Sequence, residues 1–211
     1  MSYNNITQEE NMKLLIISGT PKKDGLCHSL VTAAYESAAG SGAEAEIINL
    51  SDLKLLPCKM CDDGWGICGT EHRCIYGDED GFNLLQEKFA PANAFVFITP
   101  VYWGEVSEGL KCFFDRLRRC QATKNRDMEK IGFSFFADKS SILVASAGGS
   151  GNGILSALTQ MERAVSHMGG DKNPKDRCGI CDLIGVNRWN QDYKREALKA
   201  AVEALVRRLK E

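Results

Sequence analysis

The chain has 211 residues, 44% hydrophobic and 26% charged, which suits one globular domain and excludes disorder as the main state. Its 26 basic and 28 acidic residues leave a net charge of −2, so no basic field exists to hold a nucleic-acid backbone. The apolar stretches are strand-sized, which excludes a membrane span, and Met1 to Asn11 is a polar extension without a signal-peptide core. Nine cysteines in such a chain read as reduced thiols or metal ligands, and a cytoplasmic location is expected.

In chain order, Lys13 to Ser18 is a continuous apolar run, the mark of a strand covered on both faces. Leu30, Ala33, Ala34 and Ala38 then share a helix face that ends at Gly40-Ser41-Gly42. Ala45 to Leu50 reads as a second strand, Phe82 to Phe89 as a helix stopped by Pro91, and Ala94 to Thr99 as a third strand closed by Pro100. Val106, Leu110, Phe113, Phe114 and Leu117 recur at helical spacing. Cys120 to Ser140 reads as a loop and part of a helix. Ser141 to Ser146 is a fourth strand, followed by a helix carrying Ile154, Leu158, Met161, Val165 and Met168. Cys181 to Val186 is a weaker fifth strand, and Leu198, Ala201, Val202, Leu205 and Leu209 stripe the last helix. This alternation predicts one α/β domain over 12–211, a doubly wound five-stranded parallel sheet with helices on both faces. Residues 57–80 fit neither period and form an excursion within it.

Ligands of such sheets bind beyond the carboxyl ends of the strands, and three ends here are rich in Gly, Pro, Ser or Thr. The first, Ser18 to Ser29, joins a buried strand to a helix start, where backbone N–H groups and the helix dipole favour an anion. Ser18 and Thr20 add hydroxyls, and Lys22 or Lys23 a point charge. Leu26-Cys27 after Gly25 breaks the nucleotide-triphosphate loop pattern. A dinucleotide fingerprint is missing both here and at Gly149 to Ile154, and Ser18-Gly19-Thr20 lacks the acids of a phospho-receiver. A monophosphate such as that of FMN fits best. The second end, Thr99 to Lys111, offers Tyr102 and Trp103 to a flat ring, and the third, Gly148 to Gly153, lets backbone approach it closely.

Ser18-Gly-Thr-Pro-Lys-Lys-Asp-Gly, Thr99-Pro-Val-Tyr-Trp-Gly, Leu110-Lys-Cys-Phe-Phe-Asp-Arg116 and the Gly148–Gly153 loop resemble the NADPH-dependent FMN reductase and iron–sulfur flavoprotein group, from about Met12 to Met168. The resemblance implies a flavodoxin-like fold and binding of FMN phosphate by Ser18, Thr20, Lys22 and the Gly25-Leu26-Cys27 backbone. It places the flavin ring on Pro100, Val101, Tyr102, Trp103 and Gly104, with Gly148 and Gly149 closing over it. The family loop commonly carries Arg at the position of Lys22, and Asn-Thr where this chain has Leu26-Cys27.

Cys58-x2-Cys61-x6-Cys68-x5-Cys74 packs four thiols into 17 residues, which suits an iron–sulfur cluster or tetrahedral zinc. The iron–sulfur flavoproteins carry a similar motif after the second strand, with x2 in place of x6. A 4Fe–4S cluster, zinc and no metal all stay open here. Cys178-x2-Cys181 is expected to pack at the fifth strand, Cys112 and Cys120 in a helix, and the three histidines in solvent. The implied activity is an FMN oxidoreductase using NAD(P)H or a protein donor and a small-molecule or protein acceptor, with no acid–base residue required. The alternative is a flavodoxin-like electron carrier. A homodimer or homotetramer is expected, with Tyr102 and Trp103 near an interface.

Overall fold

The computed structural model describes residues 12–64, 66–121, 134–137, 139–169 and 179–211. The polar extension, most of the segment between Cys120 and Ser140, and Cys178 lie outside the described residues. Five strands run parallel: β1 (Lys13–Ser18), β2 (Glu44–Asn49), β3 (Ala94–Tyr102), β5 (Ser140–Ser146) and β6 (Ile180–Val186). A two-residue strand, β4 (Glu105–Val106), folds back antiparallel on β3, so the sheet has six strands where five were expected.

The order is β2-β1-β3-β5-β6. The chain steps one way from β1 to β2 and the other way from β3 onward, which puts the switch point between β1 and β3. This is the flavodoxin-like winding, whose ligand crevice lies at that point.

β1, β3 and β5 are buried on both faces and sort their side chains by the two-residue period. Leu15, Ile17, Phe95, Phe97 and Leu143 point to one face, covered by α2 (Phe82–Glu87), α3 (Glu108–Gln121) and α4 (Ile154–His167). That layer is rich in phenylalanine, with Phe95 and Phe136 ring centroids 4.7 Å apart. Leu14, Ile16, Val96, Ile98 and Val144 point to the other, covered by α1 (Leu26–Gly40) and α5 (Gln191–Lys210). Ala34 and Ala38 are small enough to let α1 lie close to the strands.

Two boundaries at the loop edge differ from expectation. β3 does not stop at Thr99; it runs through Pro100 to Tyr102. Its last pair with β1 is Ser18 with Ile98, so beyond it β3 has a free edge on that side, where a proline without N–H is tolerated. Val106 therefore belongs to β4, and the helix begins at Glu108.

Candidate functional site

The first loop is held to the second by buried polar bonds. Gly19 N donates to Ile98 O at 2.8 Å, and Ser107 Oγ donates to Gly19 O at 2.6 Å. Ser107 N in turn donates to Thr99 Oγ1 at 3.0 Å. A Cβ on Gly19 would stand 2.7 Å from Ser107 Oγ, so only glycine allows this approach. The Ser18 side chain is fully buried, and its Oγ has no hydrogen-bond partner among the described residues. Thr20, also buried, accepts from Lys22 N at 3.3 Å.

Gly25 leads into α1 at φ +88°, with no side-chain cap and no acid in the first turn. The first N–H groups of the helix have no intrahelical acceptor and carry the positive end of its dipole. The N–H groups of Leu26 and Cys27 are among these. The Cys27 side chain packs in the core beside Val31 and Leu30. Burial pushes its thiol up to about 12, against the pull of the Thr20 hydroxyl, so it stays protonated. Lys22 is exposed and lies 3.7 Å from Asp24, while Lys23 pairs with Asp52 at 2.7 Å.

The second loop is a tight hairpin: Val101 pairs with Val106, and Tyr102 with Glu105. Trp103 and Gly104 turn the corner at φ +53° and +83°, the two positive angles that a type I′ turn needs. Tryptophan in the left-handed region is costly, and the hairpin holds it there fully exposed, with Tyr102 half-exposed beside it. In the third loop, a Cβ on Gly153 would stand 2.4 Å from Gly104 Cα. The second and third loops therefore meet backbone to backbone.

A hollow of about 520 Å³ opens between them, lined by Val101, Trp103 and Gly104 on one side and by Ala147 to Ser150, Asn152 and Gly153 on the other. A second hollow, about 540 Å³, joins Gly19 and Pro21 of the first loop to Tyr102 of the second. All three loops thus lie at one edge of the sheet. Val101, Gly148 and Gly149 line the first of these hollows, and Pro100 precedes Val101 on β3, while the Lys22 side chain stands out in solvent. Sequence reading passed over Ser107, which ties the loops together. Its signal was a serine just before a helix start, with Leu110 N donating to its Oγ at 3.4 Å.

Cys58, Cys61, Cys68 and Cys74 are each half-buried along the excursion. Among the described residues no three His, Cys, Asp or Glu side chains are gathered as a metal-holding group. Met60, Asp62, Asp63 and His72 all have φ between +49° and +54°. Side chains clamp the segment to the domain. Arg116 of α3 pairs with Asp80, both with nearly fully buried side chains, and donates to Leu56 O at 3.2 Å. Burial alone would raise the Asp80 carboxyl, but the bonds from Arg116 and from Leu56 N outweigh it and hold the carboxyl below its usual range. Asn83 bonds the Cys74 backbone twice, at 2.9 Å each. His72 departs from the solvated reading, because its Nδ1 lies 2.6 Å from Cys120 O. Cys112 and Cys120 sit in α3 as expected, and burial raises both thiols.

Residues 12–172 match the family model described as NADPH-dependent FMN reductase. The chain belongs to that family. Curated relatives include an iron–sulfur flavoprotein of Methanosarcina thermophila, 34% identical over 119 residues that cover 54% of this chain and 59% of the relative. One from Methanocaldococcus jannaschii is 37% identical over 107 residues, covering 51% of this chain and 52% of its own. The chain spans about half the length of the curated relatives it matches. Among solved structures, an NAD(P)H:quinone oxidoreductase from Methanothermobacter marburgensis superposes with a TM-score of 0.61 at 19% identity, over 95% of this chain and 98% of that one. An archaeal flavodoxin gives 0.55 at 12% identity, over 95% and 100%. These two likenesses show the fold.

Proposed function

We propose that the protein is an FMN-dependent oxidoreductase that draws electrons from NAD(P)H or a protein donor and delivers them to a small-molecule or protein acceptor. The observation that carries this reading is the buried Ser18 hydroxyl, without a hydrogen-bond partner among the described residues, beside the uncapped start of α1. A buried polar group left unpaired costs about 1–3 kcal/mol, and a phosphate oxygen would satisfy it. The residues fit that group: Ser18, Thr20 and the Gly25-Leu26-Cys27 backbone would hold the phosphate, with Lys22 a screened charge at the rim. The hollow between the second and third loops would take the ring, its walls kept free of side chains by Gly104 and Gly153. Bound FMN accepts a hydride and releases electrons singly or in pairs. The chain's own part is to bind, to orient and to exclude water.

Cys58, Cys61, Cys68 and Cys74 are the set we propose for a 4Fe–4S cluster, with zinc as the lesser alternative. Four thiols in one segment, the names of the relatives, and left-handed non-glycine residues between the ligands all support it. The thiols are not gathered in this structure, so no electron step is routed through them. A cytoplasmic location and a homodimer or homotetramer belong to the same reading; the exposed Tyr102, Trp103 and Leu155 around the ring hollow support the latter. No described helix is long and apolar enough to cross a membrane.

The test is an anaerobic preparation examined for flavin absorbance, iron, sulfide and zinc, then mixed with NADPH. The expected result is bound FMN that bleaches rapidly. A yellow protein that NADPH does not bleach would instead be an electron carrier, and a colourless one that takes up no FMN would overturn the assignment.

A further inference from the structure

A third groove, about 640 Å³, runs along α4 from the edge of the ring hollow. The two share Gly104 and Gly153, the glycines whose backbones touch, so the groove begins where the hollow ends. Its lining sets the exposed Leu155 among polar side chains. Thr159 and Arg163 stand one turn apart on α4, Ser156 lies at its start, and Glu105 of the hairpin faces them. Gln160 fixes the two walls, donating to Glu105 Oε2 at 3.0 Å and accepting from Val106 N at 3.0 Å. Arg163 is the cation among the lining residues; it is exposed and makes no ion pair among the described residues.

The flavin reading leaves this groove unused, because the phosphate belongs at α1 and the ring in the hollow. A reduced nicotinamide nucleotide brings its own ring to the flavin, and behind it a ribose and a diphosphate that must leave by a contiguous channel. The hollow on the other side of Tyr102 suits them poorly. Leu50, Leu53, Leu55 and Pro57 line it, and its Lys111 is already paired with Asp115 at 2.6 Å. We propose that the α4 groove holds the ribose-phosphate portion of the nicotinamide donor. Arg163 pairs with a phosphate, the Ser156 and Thr159 hydroxyls donate to it, and Glu105 accepts from ribose hydroxyls. This rests on the flavin reading and adds a donor site to it.

The experiment compares wild type with Arg163→Ala and Arg163→Glu, using NADPH and the phosphate-free donor N-benzyl-1,4-dihydronicotinamide. A lost charge-assisted bond predicts that half-saturation by NADPH rises about tenfold to a hundredfold in Arg163→Ala, and further in Arg163→Glu. Calorimetric binding of NADP+ should weaken by the same factor. FMN content and the rate with the phosphate-free donor should stay unchanged. Added salt should raise NADPH half-saturation steeply in wild type and weakly in Arg163→Ala. A change under about twofold for NADPH, or an equal loss with both donors, overturns the proposal. A wild type that holds no FMN overturns the flavin reading and this proposal with it, and is recognised before any variant is made.

Discussion

At the loop edge, glycine backbone is approached too closely for any Cβ; in the cysteine excursion, side chains clamp backbone. Gly153 lies against Gly104, and Gly19 lies against Ser107, at spacings no Cβ could share. Those contacts are set by strands buried in the sheet, so the edge keeps its shape as long as the sheet does. Residues 57–80 have no strand to lean on. They are held by Asp80 on Arg116, Asn83 on Cys74 and His72 on Cys120, and four non-glycine residues there sit in the left-handed region. The difference teaches where each region breaks: the loop edge through added atoms, the excursion through lost charges and amides.

The largest expected effect is on the excursion. Arg116→Ala leaves the Asp80 carboxylate buried without its partner and should destabilise the protein by about 3–5 kcal/mol, read as a fall in urea midpoint. A paired change, Arg116→Met with Asp80→Leu, should recover most of that loss, because two apolar side chains leave no unpaired charge. No recovery would mean that the segment is held by something other than this pair.

At the loop edge, Gly153→Val places a branched side chain at φ +83° against Gly104. It should cut FMN affinity at least about a hundredfold, roughly 2.7 kcal/mol, with the urea midpoint falling much less than in Arg116→Ala. Titrating flavin into the apoprotein measures this. Equal affinity in the two proteins would show that the ring does not lie between the second and third loops.

Smaller effects should separate Ser18 and Thr20 from Lys22. Ser18→Ala and Thr20→Ala should each weaken FMN by about 1–1.5 kcal/mol, because a phosphate oxygen loses one donor. Lys22→Ala should cost less than about 1 kcal/mol, since this side chain is solvated and already lies near Asp24. A larger loss at Lys22 than at Ser18 would reverse the assignment of the anchor.

The smallest signal is in pH. The Asp80 carboxyl is held below its unfolded value of about 3.9, so the Arg116 pair contributes fully above that value and fades as pH falls through the lower folded one. Wild type and Arg116→Ala should therefore differ most at neutral pH and converge below about pH 4. A gap that stays constant between pH 7 and pH 3 would remove Asp80 from the explanation.

The sequence by itself determined the five parallel strands, the layers around them and the three loop ends. Runs such as Lys13 to Ser18 and Ala94 to Thr99 are apolar on both faces, and that pattern has one stable home, a sheet covered twice. The family resemblance also rested on local strings of residues. Only the tertiary structure decided the rest. The Trp103-Gly104 hairpin carries no Asn-Gly or Asp-Gly signal, so β4 and the true start of α3 appear only when Val101 finds Val106. Cys27 stands in a loop string that does not say where its side chain goes, and only the fold turns that side chain into the core. Arg116 and Asp80 are 36 residues apart, and Arg163 and Glu105 line one groove although 58 residues separate them, separations at which periodicity carries no information. Period and turn chemistry act between neighbours in the chain, whereas burial, charge pairing and the shape of a groove arise between neighbours in space.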